Sequence, residues 1–189
     1  MQLRWYKTLW GAVGAGAPYR TFAEVVEVIS AEGWDGIAFA PIALQFDPTP
    51  GTADELATRC AAAGLSLSVM VHAWAHSLDE NLIELEARLN EVQSLGAHHV
   101  VAHAGFDSWT VAERSEFFGR SAQLAAKFGI RLTHETHRHR PLFTPWATRD
   151  VLAEFPDVLL TLDLSHWVTV AERLLVQDRK STRLNSSHV

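Results

Sequence analysis

Short apolar runs alternate along the chain with longer amphipathic stretches. The apolar runs have the length and composition of strands, and they occupy residues 3–10, 36–42, 65–73, 98–104, 130–136 and 158–164. Between them, apolar residues recur at helical spacing over residues 21–32, 53–63, 78–95, 111–128 and 146–155. Glycines that can adopt the left-handed conformation of a helix end follow four of these helices, at Gly33, Gly64, Gly96 and Gly129. The pattern predicts six strands joined by helices, with a further helix beginning after the sixth strand.

Strands and helices that alternate at this spacing form parallel β-α-β units, which build either an open doubly wound sheet or a barrel. A nucleotide-binding open sheet carries a G-x-G-x-x-G turn, and the glycine-rich segment 11–16 does not have that spacing. Polar residues stand instead at the C-terminal ends of several strands, at His72, His103, Glu135 and Asp163. This is the distribution of a (β/α) barrel active site. The predicted fold class is therefore α/β, an incomplete (β/α)8 TIM barrel consisting of the first six β-α units.

Composition and charge narrow the class of protein. The 189 residues are 48% hydrophobic and 20% charged, which is ordinary for a globular protein with a core. A net charge of −6 argues against a nucleic-acid partner, and the sequence has no apolar run long enough to span a membrane. The single cysteine, Cys60, lies in an apolar helical pattern and is expected to be buried. Lys7 interrupts the apolar run near the N-terminus, which argues against a secretory signal peptide. We expect a cytoplasmic protein with neither a nucleic-acid nor a membrane partner; the oligomeric state is not indicated.

Two segments near the C-terminal end of the chain combine carboxylates with imidazoles. Residues 132–140 read LTHETHRHR and residues 162–167 read LDLSHW, and each segment follows a strand. Glu135 and Asp163 lie at the ends of successive predicted strands. Carboxylates and histidines that meet at the mouth of a sheet or barrel can bind a divalent metal. The alternative is a set of solvated surface loops, since these residue types are also common there.

Strand alternation divides the predicted fifth strand into two faces. The more apolar face, with Leu132 and His134, is expected to meet helices, so His134 is predicted to be structural. The opposite face carries Glu135 and His137 towards the site, and Asp163 shares a face with Thr161 in the sixth strand. We predict Glu135 and Asp163 to be metal ligands. The candidate substrate-binding residues are His72 and His103 at strand ends, His137 and Arg138, which suit substrate oxygens or phosphate, and His166.

The last twelve residues depart from the alternating pattern. Residues 178–188 read DRKSTRLNSSH, which matches one reading frame of a common short-read sequencing adapter. We therefore expect residues 178–189 to be a non-native tail and residues 1–177 to be a partial barrel from a longer enzyme; a natural polar tail is the alternative. Because a complete barrel has eight strands, this product is itself expected to be inactive.

Several short motifs occur in the order seen in one superfamily. The opening WYKTLWG, the VHA of the third strand, the AHAG of the fourth, HETHR and DLSH are all in register. With these motifs the chain resembles the xylose-isomerase-like TIM-barrel superfamily, the sugar phosphate isomerase/epimerase group. The resemblance implies that Glu135 binds a metal and also acts as an acid/base residue, and that Asp163 binds the metal. It implies that His166 contacts the substrate or a second metal.

The resemblance also implies a reaction. It is the isomerisation or epimerisation of a sugar, sugar phosphate or hydroxy-ketone in carbohydrate metabolism, by carboxylate-mediated proton transfer with Mn²⁺, Mg²⁺, Co²⁺ or Zn²⁺ as cofactor. Two alternatives come from the same superfamily: a metal-dependent DNA-repair nuclease similar to endonuclease IV, and a dehydratase of inositol-type ketones. The nuclease needs a basic groove, which the net charge does not favour. A non-catalytic binding protein is a further alternative.

Overall fold

The computed structural model describes residues 3–175 of the chain. The strands are β1 (Tyr6–Thr8), β2 (Gly36–Phe39), β3 (Ser66–His72), β4 (His99–His103), β5 (Arg131–Glu135) and β6 (Leu159–Thr161). The helices are α1 (Phe22–Ala31), α2 (Ala43–Phe46), α3 (Ala53–Ala62), α4 (Leu78–Ser94), α5 (Val111–Phe128), α6 (Pro145–Glu154) and α7 (Leu164–Ala171). All six predicted strands and the six predicted helices are present. The short helix α2 is not predicted, because four residues are too few to show an amphipathic period.

The strands form one sheet in chain order, β1-β2-β3-β4-β5-β6. The pairs β1–β2, β2–β3 and β5–β6 are parallel, with Thr133, His134 and Glu135 of β5 opposite Leu159, Leu160 and Thr161 of β6. A parallel connection needs a crossover of a dozen or more residues, and the amphipathic stretches supply one helix for each crossover. This strand order is that of the first six β-α units of a TIM barrel, so the predicted fold class is confirmed.

The helix ends follow from local sequence. Four helices begin after a threonine whose hydroxyl accepts a hydrogen bond from a backbone N–H of the first turn, at Thr21, Thr52, Thr110 and Thr144. The four glycines predicted to end helices all have positive φ, between 64° and 79°. Side chains disfavour this left-handed conformation and glycine does not. The boundaries of the helices are therefore set by residues within or next to each helix.

Within the described residues, one compact unit comprises residues 3–71 and 90–100. It contains β1, β2 and the helices α1 to α3. In its core, Phe22 of α1 packs edge-on against Phe39 of β2, with the ring centroids 5.9 Å apart. Cys60 of α3 is buried as predicted, and burial raises the pKa of its thiol to about 11 because it disfavours the thiolate. Cys60 is thus a packing residue.

Within the described residues, a second compact unit comprises residues 72–89 and 101–175. It contains β5, β6 and the helices α5 to α7. Its core includes Phe117 and Phe118 of α5, and Trp167 of α7 packs against Leu152 of α6. The indole N–H of Trp167 donates to the carbonyl of Leu142, so this large ring is buried without an unsatisfied donor. All the residues that the sequence nominates for the site belong to this unit.

The predicted domain boundary at residue 177 and the predicted tail 178–189 lie outside the described residues, so both stay predictions. Within residues 3–175, none of the helices combines the length and the apolar character needed to cross a bilayer.

Candidate functional site

Strand β5 places His134 and Glu135 on opposite faces of the sheet. The His134 ring packs edge-on against Phe117 and Phe118, with centroid distances of 5.6 and 5.0 Å. Its Nε2 lies 3.4 Å from the Ser121 hydroxyl oxygen. Burial lowers the pKa of His134 to about 4, so its imidazole is neutral at neutral pH. The prediction that His134 faces helices is confirmed, and alternation places Glu135 on the opposite face.

Glu135 is buried and is held by an imidazole from the neighbouring strand. One of its carboxylate oxygens, Oε2, lies 2.5 Å from Nε2 of His103, and the two residues are only 7% and 9% exposed. A buried carboxylate needs such a partner, because removing it from water without a hydrogen bond is costly. The His103 ring also contacts the rings of His72 and His137, at centroid distances of 4.9 and 4.7 Å. His103 therefore fixes the orientation of the Glu135 carboxylate.

Three side chains come close enough to share a metal ion. Ligand atoms of Glu135, His137 and His166 lie within 4.8 Å of one another. The rings of His137 and His166 are 3.8 Å apart between centroids. Burial is the largest cause that lowers the pKa of His137, and electrostatic interaction with His103 and His166 acts in the same direction. The hydrogen bond to the Arg138 carbonyl and the Glu135 carboxylate oppose the shift. A lowered pKa favours the neutral imidazole, which is the form that binds a metal.

Asp163 lies beside this group but caps a helix. Its Oδ1 accepts hydrogen bonds from the backbone N–H and the hydroxyl of Ser165, at 2.9 and 2.6 Å, at the start of α7. Its Oδ2 is 3.6 Å from Nε2 of His166. Burial opposes ionisation of Asp163, but the Ser165 hydrogen bonds and the nearby His166 and His137 outweigh it and lower its pKa. Asp163 is not in the three-residue group, so its role as a metal ligand stays a prediction.

The other predicted substrate-binding residues differ in position. The His72 ring stacks on Trp74, with centroids 5.2 Å apart and planes 12° apart, and contacts His103. Arg138 is exposed, and its side chain makes no hydrogen bond or ion pair within residues 3–175. The structure thus brings together His72, His103, Glu135, His137 and His166, and leaves Arg138 on the surface. The predicted binding roles of these residues remain to be tested.

Two buried polar residues of this region are not identified from the sequence. Asn81 is fully buried and hydrogen-bonds to the backbone of Ala73, Ala75 and Gly105. Its position on the apolar stripe of α4, beside Leu85, is a signal that could have revealed it. Arg140 is 4% exposed. It lies in a loop rich in charged residues, where the sequence does not distinguish it from a solvated arginine.

Comparison with known proteins identifies the family. A family model described as xylose isomerase-like TIM barrel matches residues 26–189. The chain belongs to this family. The predicted superfamily is therefore confirmed, and the xylose isomerase-like TIM barrel accounts for the order of the strands. A search of curated proteins gives no match.

Solved structures of the xylose isomerase-like family share the fold. A xylose isomerase domain containing protein from Salmonella typhimurium is 15% identical with a TM-score of 0.70, over 95% of this chain and 68% of that chain. The probable 3-DHS dehydratase AsbF from Bacillus anthracis is 16% identical with a TM-score of 0.67, over 98% and 70% of the two chains. The 3-keto-D-glucoside 4-epimerase YcjR from E. coli is 16% identical with a TM-score of 0.62, over 97% and 76%. At these identities the likeness shows the fold alone.

Proposed function

We propose that the protein is a metal-dependent isomerase or epimerase of a sugar or a related hydroxy-ketone. The observation that carries the proposal is the group formed by Glu135, His137 and His166 at the C-terminal ends of β5 and β6. In TIM barrels this end of the strands carries the active site. The activities and ligands of similar solved structures also support it: an epimerase of 3-keto-D-glucoside, a D-allulose 3-epimerase from Methylomonas sp. in complex with D-allulose, and a Mycobacterium smegmatis protein in complex with magnesium.

The donor atoms of the group fit a divalent metal. One carboxylate and two imidazoles make three protein ligands, which is the number that catalytic zinc sites use while keeping a position open. Mixed nitrogen and oxygen donors suit Mn²⁺, Co²⁺ and Zn²⁺, whereas Mg²⁺ prefers oxygen and would favour the addition of Asp163. Such an ion would polarise a substrate carbonyl and stabilise the charge that develops on its oxygen.

The side chains themselves have distinct roles in this proposal. Glu135 takes and returns a proton on the carbon next to the substrate carbonyl, since it is a carboxylate on the site face of β5. His103 orients that carboxylate through the hydrogen bond to Oε2. The neutral imidazole of His72 can donate to or accept from a substrate hydroxyl group. Arg138, at the exposed edge, would bind a phosphate or another oxyanion on a longer substrate.

A dehydratase is the second candidate. The fold shared with the probable 3-DHS dehydratase supports it, and its chemistry begins with the same step, removal of a proton next to a carbonyl. The reactions diverge when a dehydratase expels a hydroxyl group as water. A nuclease similar to endonuclease IV is less favoured, because a chain with a net charge of −6 lacks the basic character that phosphate backbones require. We also propose a cytoplasmic location, on the single buried cysteine.

Metal titration tests the site. We expect Mn²⁺ or Zn²⁺, titrated calorimetrically into the full chain, to bind at one site, and Glu135→Gln and His166→Gln to weaken binding by roughly 100-fold each, because each removes one of three ligands. The matched controls are Glu27→Gln and His98→Gln, which alter exposed residues outside the site and should bind like wild type. Binding that is unchanged in both site variants would contradict the ligand assignment.

Isotope exchange tests the reaction. With the metal-loaded chain in D₂O, a panel of ketoses and cyclic hydroxy-ketones is followed by proton NMR for loss of the signal next to the carbonyl. Exchange without loss of water supports an isomerase or epimerase, whereas an enone absorbance supports a dehydratase. Either kind of metal-dependent turnover would contradict the expectation that residues 1–189 are inactive by themselves. Metal-dependent exchange that survives Glu135→Gln would contradict the role of Glu135 as the acid/base residue.

A further inference from the structure

Arg140 is a buried cation that the proposed chemistry does not use. It is 4% exposed, and within residues 3–175 its guanidinium forms no ion pair with a carboxylate. Burial lowers the pKa of Arg140, with the charge of Asp107 opposing, but an arginine remains protonated in proteins. A buried charge is retained only where hydrogen bonds and other contacts compensate for the loss of water.

The contacts of Arg140 connect segments that follow three successive strands. Its Nη1 donates to the carbonyls of Ala73 and Gly105, at 3.3 and 3.0 Å. Its guanidinium carbon lies 4.8 Å from the ring centroid of Trp74 and 5.2 Å from that of Phe106. Ala73 directly follows His72 of β3, Gly105 follows His103 of β4 by two residues, and Arg140 itself lies five residues after Glu135. One side chain thus binds the backbone beside two residues of the site.

The loop of residues 73–76 is fixed by further hydrogen bonds. The backbone N–H of Ala73 donates to the His103 carbonyl, and the carboxylate of Glu84 accepts from the N–H groups of Trp74 and Ala75, at 2.5 and 3.0 Å. Asn81 donates to the carbonyls of Ala73 and Ala75, and the Trp109 indole donates to the His76 carbonyl. Most loops leave such groups to water. In this loop they are bonded to protein groups, although Trp74 is 55% exposed.

Two residues next to the Arg140 contacts, His139 and Gly105, have positive φ angles. His139, the residue before it, has a φ of 64°, which is uncommon for a residue with a side chain. Gly105 has a φ of 76°, and a Cβ there would lie 2.6 Å from a ring carbon of Pro141. Unfavourable conformations of this kind persist where the surrounding structure requires them. The segment that carries Arg140 therefore approaches the turn after β4 more closely than a side chain at position 105 would allow.

We infer that Arg140 is a positioning residue, which holds the loop 73–76 so that the His72 imidazole and the exposed Trp74 indole face a ligand in one fixed arrangement. The inference goes beyond the proposed function and does not depend on a metal. Trp74 would then offer a ligand the exposed part of its indole, and the ordering of this side chain would have no further entropic cost on binding. Arg140 acts on the ligand only through these two residues.

The charge of Arg140 provides a measurable signal at His72. The pKa of His72 is lowered to about 4. Burial is the largest cause, electrostatic repulsion from His103, Arg140 and His137 acts in the same direction, and the Glu135 carboxylate opposes it. Removing the Arg140 charge while keeping the loop in place must therefore raise the pKa of His72. A purely space-filling role for Arg140 does not predict this change.

Histidine titration by NMR, with the full chain labelled with ¹⁵N, tests the inference. We expect Arg140→Met to raise the pKa of His72 by roughly half a unit, and Arg140→Lys, which keeps the charge, to leave it near the wild-type value. The control Arg138→Met removes an exposed arginine from the same segment and should leave the pKa of His72 unchanged. With 5-fluorotryptophan labelling, the Trp74 resonance, assigned with Trp74→Phe, should broaden or split in Arg140→Met and stay sharp in Arg138→Met.

A second measurement uses the wild-type chain and is independent of whether Arg140→Met folds. Hydrogen exchange at the amides of Trp74 and Ala75 should be slowed at least 100-fold relative to an unstructured peptide. Fast exchange at both amides, or a folded Arg140→Met with wild-type His72 titration and a wild-type Trp74 resonance, would overturn the inference. A metal site that fails its own test leaves these outcomes unaffected.

Discussion

Replacing Asn81 with alanine is the sharpest test of how the site loops are held. The Asn81 side chain is fully buried and makes three hydrogen bonds: Nδ2 donates to the carbonyls of Ala73 and Ala75 at 3.2 and 2.8 Å, and Oδ1 accepts from the N–H of Gly105 at 3.0 Å. The alanine variant removes all three. It leaves the Gly105 N–H and the Ala75 carbonyl without this partner in a place that water reaches poorly.

The magnitude follows from the number of bonds. Each hydrogen bond contributes about 1 kcal/mol net, so the loss of three costs about 3 kcal/mol. Alanine is the better helix former by roughly 0.5 kcal/mol, which leaves a net destabilisation of about 2.5 kcal/mol. This is a large share of a total stability of roughly 5–15 kcal/mol. For a chain of this length it corresponds to a fall in the midpoint of thermal unfolding of roughly 5–10 °C.

Urea unfolding, followed by far-ultraviolet circular dichroism, measures the effect, and the same helix offers a matched control. Asn90 of α4 is exposed, so Asn90→Ala gains helix propensity without losing a buried hydrogen bond. We expect Asn81→Ala to lower the urea midpoint by about 1 M with an unchanged slope, and Asn90→Ala to leave it equal or slightly higher. Asn81→Asp should be no more stable than Asn81→Ala, because a carboxylate would face two carbonyl oxygens. Stabilities of Asn81→Ala and Asn90→Ala that agree within about 0.5 kcal/mol would refute the reasoning.

Two further perturbations have a definite sign. His134 titrates with a pKa of about 4 in the folded chain against 6.5 in the unfolded one, so the unfolded state takes up the proton first and stability falls as the pH drops from 6.5 towards 4. His134→Leu should therefore lose about 2 kcal/mol less stability than wild type between pH 7 and pH 5, measured by urea unfolding at each pH; equal losses would contradict a buried neutral imidazole. Gly105→Ala should be destabilised by roughly 2–3 kcal/mol, since its Cβ would meet Pro141 at a φ of 76°. Gly119→Ala in α5, where an added Cβ would lie 3.8 Å from a ring carbon of Phe155, should instead be stabilised by up to about 1 kcal/mol. Thermal unfolding compares this pair, and a Gly105→Ala variant as stable as Gly119→Ala would show that the close approach is absent.

The candidate site divides into parts that the sequence predicts and parts that it does not. Alternation along β5 is a local property, so the sequence correctly places His134 towards the helices and Glu135 on the opposite face. Asp163 shows the limit of this reasoning. Asp163 caps α7 through hydrogen bonds with Ser165, which follows it by only two residues, so this interaction is also local. The alternation of faces along the sixth strand nevertheless predicts only that Asp163 is a metal ligand. Which of the two uses of the Asp163 carboxylate prevails depends on its distance from Glu135, His137 and His166, which the sequence does not give.

The sequence by itself determines the alternation of strands and helices, the threonine and glycine residues that bound the helices, and hence the family of the fold. These features depend on periodicity and on backbone preferences within a few residues, which act in the same way wherever the segment lies. Only the tertiary structure decides that His103 pairs with Glu135, 32 positions away, and that Arg140 is buried against the backbone of Ala73, 67 positions away. Such contacts are fixed by strand order and loop packing, and a buried arginine has the same sequence signature as a solvated one. The physical reason is that the cost of burying a charge is offset by partners that lie far apart along the chain.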